Sequence, residues 1–151
     1  MNELLLIVAI AGNRVAFPAA RVESVVELDT LIPVPRARAH LAGLSALRSR
    51  VLTVIDCRLS LELDPKPRPD GELLLEAAVV EIDGHFYALI VDAVEDVVEA
   101  LSDPVAVRGA MEAGWQRVAT GMVETEEGPL LLVDVAALVA GPATDRNAVA
   151  A

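Results

Sequence analysis

Residues Ala11–Glu27, AGNRVAFPAARVESVVE, lie over residues Asp83–Glu99, DGHFYALIVDAVEDVVE, at a constant offset of 72. Gly12 falls on Gly84, and Val22-Glu23-x-Val25-Val26-Glu27 falls on Val94-Glu95-x-Val97-Val98-Glu99. A second pair of segments continues the match. Gly43–Leu61 (GLSALRSRVLTVIDCRLSL) lies over Gly121–Val139 (GMVETEEGPLLLVDVAALV) at an offset of 78, so that Val54-Ile55-Asp56 meets Leu132-Val133-Asp134. Internal repetition is sought first because missing it mis-assigns the fold. A unit of about seventy residues exceeds the solenoid repeats, whose periods run to about 50. It implies two similar subdomains packed together, with a groove where they meet. The repeat units are about 4–63 and 72–140. Between them, Asp64–Gly71 (DPKPRPDG) holds three prolines and a glycine and reads as the linker, 64–71.

The elements within each unit are short. Leu4–Ile10 is a fully apolar strand, Gly12-Asn13 a turn, and Val15–Phe17 the start of the return strand. Pro18 suits the first position of a helix, so Ala19–Val26 reads either as a helical turn burying Val22, Val25 and Val26, or, from its β-branched valines, as further strand. Leu31-Ile32-Pro33-Val34-Pro35 is extended, because each proline turns its predecessor away from helix. Arg36–Ala42 reads as a polar loop stopped by Gly43. Leu44–Leu47 and Val51–Ile55 form a hairpin around Arg48-Ser49-Arg50, and Asp56 caps a short helix through Leu63. In the second unit Leu73–Ile82 and His85–Val91 pair across Asp83-Gly84. Asp92–Leu101 is mixed; as a helix it would align Asp92, Glu95, Asp96 and Glu99 on one face. Trp115–Val123 and Pro129–Val133 make the last hairpin, and Asp134 caps a helix over Val135–Ala140. Residues 141–151 read as a disordered tail. Many short strands with turn punctuation indicate small β-barrels or a sandwich.

Composition narrows the class. Aromatics are only 3% of 151 residues while apolar residues reach 54%, so the core is made of Val, Leu, Ile and Ala. A single cysteine, Cys57, excludes an internal disulfide and fits a reducing compartment. The start, Met-Asn-Glu, lacks the basic region of a signal peptide. The longest early apolar run, Leu4–Ala11, has eight residues, whereas spanning a bilayer takes about twenty. These features point to the cytoplasm. The net charge of −11 disfavours nucleic acid, where affinity comes mainly from phosphate neutralisation. The charge is uneven: residues 1–61 carry seven arginines against five acids, and residues 62–151 five basic against eighteen acidic groups. That split implies two different binding faces, or acids that serve solubility alone.

Candidate chemistry is sparse. Neither His40 nor His85 has catalytic company, no Cys/His/carboxylate spacing suits a metal, and no phosphate-binding glycine loop is present. No cofactor is expected. Cys57 stands at a helix start, where a thiol pKa can fall; that makes a small thiol-dependent enzyme the reading from another class, but no base accompanies it, and cysteine is among the most buried residue types. A barrel binding a small ligand in an apolar cavity is a third reading. Asp56 and Asp134 hold equivalent places after a buried strand and before an apolar helix, which is the position of a helix cap rather than an acid–base pair.

The order and spacing of several pieces resemble the CheW-like coupling proteins of bacterial chemotaxis. Gly43-Leu44-Ser45-Ala46-Leu47-Arg48-Ser49 is similar to the family's Gly-x-x-Asn-Leu-Arg-Gly, and Thr53-Val54-Ile55-Asp56-Cys57-Arg58 to its Pro-Val-Ile-Asp-Leu-Arg strand end. Leu89-Ile90-Val91-Asp92-Ala93-Val94 resembles its Leu-x-Val-Asp-x-Val, and the Leu130–Leu138 ending also fits. The resemblance covers Leu4 to about Ala140 and implies one CheW-like domain over 1–140. Its fold would be mostly β: two similar, intertwined five-stranded SH3-like β-barrel subdomains packed around a shared core, with a few short helices. It implies no catalysis, and an adaptor that joins the helical cytoplasmic tips of chemoreceptors to a CheA-type histidine kinase, in the cytoplasm or recruited to membrane receptor arrays without inserting. A CheW-like regulator of a non-flagellar or divergent pathway is the alternative. The resemblance places Arg48 with its neighbour Ser49 on the receptor side, Val22 beside the groove, and Leu31, Ile32 and Val34 in the stretch leading to it. The family's Asn is Ala46 here, its second Gly is Ser49, its Pro is Thr53, and a common glutamate is Ser24.

Overall fold

The computed structural model describes residues 3–66, 74–107 and 109–143. Residues 67–71 of the expected linker and 144–151 of the expected tail lie outside the described residues, as does Leu73. The first unit supplies strands β1 (Leu4–Ile10), β2 (Asn13–Pro18), β3 (Val22–Leu28), β4 (Leu41–Leu47) and β5 (Arg50–Asp56), then helix α1 (Cys57–Ser60). The second supplies β6 (Leu75–Ile82), β7 (His85–Ile90) and β8 (Ala93–Glu99), then helix α2 (Ala113–Val118), β9 (Ala119–Thr125), β10 (Gly128–Val133) and helix α3 (Val135–Ala140).

The strands form two five-stranded sheets, ordered β8-β1-β2-β10-β9 and β3-β6-β7-β5-β4. Substituting each strand by its partner in the other repeat converts one order into the other. Each sheet therefore takes its first hairpin from one repeat and its other three strands from the second. The local irregularities repeat too. β3 carries an extra residue at Glu23, between the pairs Val22–Val80 and Ser24–Val79, and β8 carries one at Glu95, between Val94–Val8 and Asp96–Ile7. A second pair of bulges falls at Ala42 and Thr120. Such bulges bend a strand and increase its twist, which rolls the sheet toward a barrel. Closure comes from single bridges at equivalent places, Ile32 to Leu44 and Val105 to Met122, joining the chain beyond one edge strand to the other edge.

The continuous apolar run of β1 follows from burial on both faces. Leu5 and Ile7 point into one barrel with Val123, Leu130 and Leu132, while Leu6, Val8 and Ile10 point into a core shared by both barrels. β6 repeats this: Leu75, Ala77 and Val79 fill the second barrel, and Ala78 and Val80 face the shared core. That shared core also holds Phe17, Ile55, Leu89, Val133 and Leu138.

Both proposed caps form. Asp56 accepts from the Leu59 amide at 3.2 Å, and Asp134 from the Ala136 and Ala137 amides at 3.0 and 3.4 Å. The motif residues Arg58 and Asp92 meet across the seam between the barrels. Arg58 donates from Nη2 to Asp92 Oδ2 at 2.8 Å, and Asp92 also accepts from the Ala11 amide at 2.8 Å. Burial alone would raise the Asp92 carboxyl; the Arg58 and Ala11 hydrogen bonds outweigh it and hold the group below its ordinary value.

Several sequence expectations are corrected. Of the two readings left open for Ala19–Val26, strand holds from Val22 onward, and only Ala19–Arg21 turns, as a single 3-10 turn. Asp92–Leu101 is not a helix carrying four acids on one face, because Ala93–Glu99 pairs with β1. Gly43 does not stop a loop but lies inside β4, where a Cβ would sit 2.5 Å from the Ile32 carbonyl oxygen. Trp115–Val118 is helical, so the last hairpin starts at Ala119. The helix capped by Asp56 ends at Ser60 rather than Leu63. His40 does lie in the loop before β4, but it is buried there, with Nε2 2.9 Å from the Val139 carbonyl oxygen.

Candidate functional site

Sheet closure in the second barrel begins at the Ile32–Leu44 bridge, and the Thr30 and Ser45 hydroxyls meet at 3.3 Å one step further. Beyond that point β3 and the β4–β5 hairpin splay apart. The gap is a groove of about 420 Å³. Glu23, Ser24, Val25 and Val26 form one wall, Leu47, Arg48 and Arg50 the other, and Leu52 and Val79 the floor. The hairpin tip turns through Arg48 and Ser49 at φ 51° and 62°. Two successive positive φ values match the twist of the flanking strands, as in a type I′ turn. Neither residue is glycine, so the tip holds strain on the order of 1–2 kcal/mol per residue.

The residues named from the sequence divide among three places. Arg48 and Ser49 stand exposed at the groove's hairpin wall. Val22 is half-buried against the shared core, and Leu31 is half-buried against the interior of the second barrel. Ile32 (62% exposed) stands in a cross-strand row with Leu44, Thr53 and Tyr87, on the face turned away from that interior; Val34 is exposed in the chain beyond it. The geometry thus brings Arg48 together with β3 but not with Ile32 and Val34. Sequence reasoning missed the β3 wall. Val25, which the helical alternative for Ala19–Val26 would have buried, is 43% exposed on it.

Two arginines clamp the open edges. Arg50 pairs with Glu23 across the groove mouth, and its guanidinium lies 3.8 Å above the centre of the Phe86 ring. In the first barrel Arg14 reaches Glu95 at 2.7 Å and Glu127 at 3.2 Å. The Arg48 carbonyl oxygen accepts from the Ser49 hydroxyl, while its guanidinium makes no ion pair or hydrogen bond among the described residues. A smaller hollow of about 260 Å³ lies beside the first barrel, lined by Val15, Met111, Trp115, Met122 and Leu131 with Asn13, Arg14 and Pro129. Its one charged group, Arg14, is already engaged by two carboxylates.

The other candidate chemistry has no such access. Cys57 is fully buried, and burial, followed by the charges of Asp56 and Asp92, pushes its thiol up, away from the thiolate a nucleophile needs. His85 is exposed. Among the described residues no group of three or more His, Cys, Asp or Glu is placed to hold a metal ion, and no helix is long and apolar enough to cross a membrane.

Comparison with known proteins places this architecture. The scaffolding protein TtCheW from Thermoanaerobacter tengcongensis has the same fold, with a TM-score of 0.71 over 88% of this chain and 89% of that one, at 20% identity. No curated protein matches the chain. A family model for the CheW-like domain matches residues 4–142. The chain therefore belongs to the CheW-like domain family.

Proposed function

We propose that this protein is a non-catalytic adaptor that couples the cytoplasmic tips of chemoreceptors to a CheA-type histidine kinase, working in the cytoplasm at receptor arrays. The observation that carries the reading is family membership over nearly the whole chain, joined to a body that offers docking surfaces rather than an enclosed reactive centre. The mechanism is positional. Two barrels fused through one core hold their exposed edges at a fixed separation, so a receptor segment on one surface and a kinase domain on another keep a defined relation. A change in receptor conformation then biases the kinase through differential contacts with the two states. Burial of Cys57 weighs against the thiol-enzyme reading.

Arg48 is exposed and lines the groove, so reversing its charge tests the reading with little risk to the fold. In a calorimetric titration with a receptor hairpin fragment from the same genome, Arg48→Glu is expected to weaken binding on the order of tenfold, about 1.4 kcal/mol. The melting temperature should stay at the wild-type value. Unchanged affinity would remove Arg48 from the receptor-side surface.

A further inference from the structure

The smaller hollow beside the first barrel gathers Met111 and Met122, which with Met1 are all the methionines of the chain, and its only tryptophan, Trp115. Met122 lies in β9, where its amide donates to the Val105 carbonyl oxygen at 2.8 Å and its carbonyl oxygen accepts from the Val105 amide at 2.9 Å. Met111 lies in the chain that leads into α2. The repeat shows that the fold does not require sulfur at either place. Met122 is equivalent to Leu44, which makes the matching bridge to Ile32 in the second barrel, and Met111 falls in the stretch where the offset between repeats changes from 72 to 78.

Both side chains are half-buried and border an open hollow, so a small oxidant can reach them. The one thiol is out of reach: Cys57 has no exposed surface, and burial keeps it protonated. A peroxide therefore meets thioether sulfur first. The sulfur lone pair attacks one peroxide oxygen; the S–O bond forms as the O–O bond breaks, and the sulfur gives up two electrons. The released hydroxide takes the proton of the new S–OH and leaves as water. The product is a sulfoxide, polar where the thioether was apolar and flexible. The rim of the hollow has donors for its oxygen. Arg14 engages Glu95 through Nε and Glu127 through Nη2, and its Nη1 has no partner among the described residues. Asn13 Nδ2 reaches only the Ala11 carbonyl oxygen, at 3.4 Å. The neighbouring Val15, Pro129 and Leu131 side chains offer no donor.

We propose that Met111 and Met122 form a reversible oxidation site for peroxides, in which the sulfoxide turns from the apolar lining toward Arg14 and Asn13 and uncovers Trp115. Met111 and Trp115 also pack against the core shared by both barrels, so the change is felt where the barrels join. The site does not depend on the adaptor reading.

The test treats the full chain with hydrogen peroxide under native conditions and locates the added oxygen by peptide mass spectrometry. Met111 and Met122 should each gain one oxygen, while the Cys57 thiol still titrates once the treated chain is unfolded. The Trp115 emission should shift to the red and the melting temperature should fall. Both should return to the untreated values after incubation with dithiothreitol and the two methionine sulfoxide reductases, one for each sulfoxide epimer. The double variant Met111→Leu, Met122→Leu nearly conserves volume and should fold; peroxide should leave its emission and melting temperature in place. Arg14→Gln separates a built site from a merely accessible sulfur. It removes the donor for the sulfoxide, so oxidation should lower its melting temperature by more than it lowers that of the wild type. Cys57 oxidising in step with the methionines, sulfoxides that leave the Trp115 emission unmoved, a change that the reductases do not reverse, or an equal fall in Arg14→Gln and wild type overturns the proposal.

Discussion

Replacing Phe17 by alanine is expected to lower the free energy of unfolding by about 3–5 kcal/mol, the usual cost of emptying a buried aromatic site. Phe17 has no exposed surface. It projects from β2 in the first sheet into the core shared with Ile55, Leu89 and Val80 of the second. The cavity would thus weaken the contact between barrels as well as the barrel that owns the residue. Because each sheet takes strands from both repeats, neither barrel can unfold and leave the other whole. Chemical denaturation followed by far-ultraviolet circular dichroism and by the fluorescence of Trp115 should give coincident single transitions, in wild type and variant, shifted to lower denaturant in the variant. Two separated transitions, or a loss no larger than a surface substitution gives, would contradict this account of the core.

Gly114→Ala should also destabilise, against the sign that helix propensity alone suggests. Alanine is favoured over glycine inside a helix by about 1 kcal/mol. Here the added Cβ would lie 2.0 Å from the Leu61 carbonyl oxygen and 2.6 Å from its carbon. Those are backbone atoms at the end of α1, and they have no rotamer to move into. The clash must push α2 away from α1. That displaces Arg117, which donates to the Ser60 carbonyl oxygen at 2.7 Å and to the Ala137 carbonyl oxygen, tying α1, α2 and α3 together. Overpacking of this kind typically costs about 1–3 kcal/mol, and the lost tie adds to it. A melting temperature at or above wild type would show that α2 can shift freely, and the contact would then be incidental.

How much of this was legible in the sequence depends on how local each cause is. The hairpins at Asp83-Gly84 and at Arg48-Ser49, and the caps at Asp56 and Asp134, are set by neighbours in the chain, and the pattern shows them. The duplication was legible too, and its change of offset from 72 to 78 marks six extra residues in the second repeat. What occupies that region was not: Trp115-Gln116-Arg117-Val118 has no clear period of its own, and its helical state follows from packing on α3 and from the contacts of Gly114 and Arg117 with the end of α1. Valine runs were ambiguous for a similar reason. Val22 and Val25 carry the same β propensity and lie opposite Val80 and Ala78 on one face of the sheet, yet Val22 is half-buried and Val25 is 43% exposed. The groove lay furthest from view. Its walls come from β3 and the β4–β5 hairpin, brought to opposite edges of one sheet by strands of the other repeat, and Arg50 finds Phe86 only through the parallel pairing of β5 with β7. Arg48 was singled out through family resemblance; the β3 wall it faces across the groove required the fold.

The adaptor role requires that two proteins be held at once. The most direct measurement is analytical ultracentrifugation of the purified full chain with a CheA-type kinase regulatory domain and a receptor hairpin fragment from the same genome. The account predicts a ternary species heavier than either binary complex. Mutually exclusive binding of the two partners, or no binding of either, would contradict it.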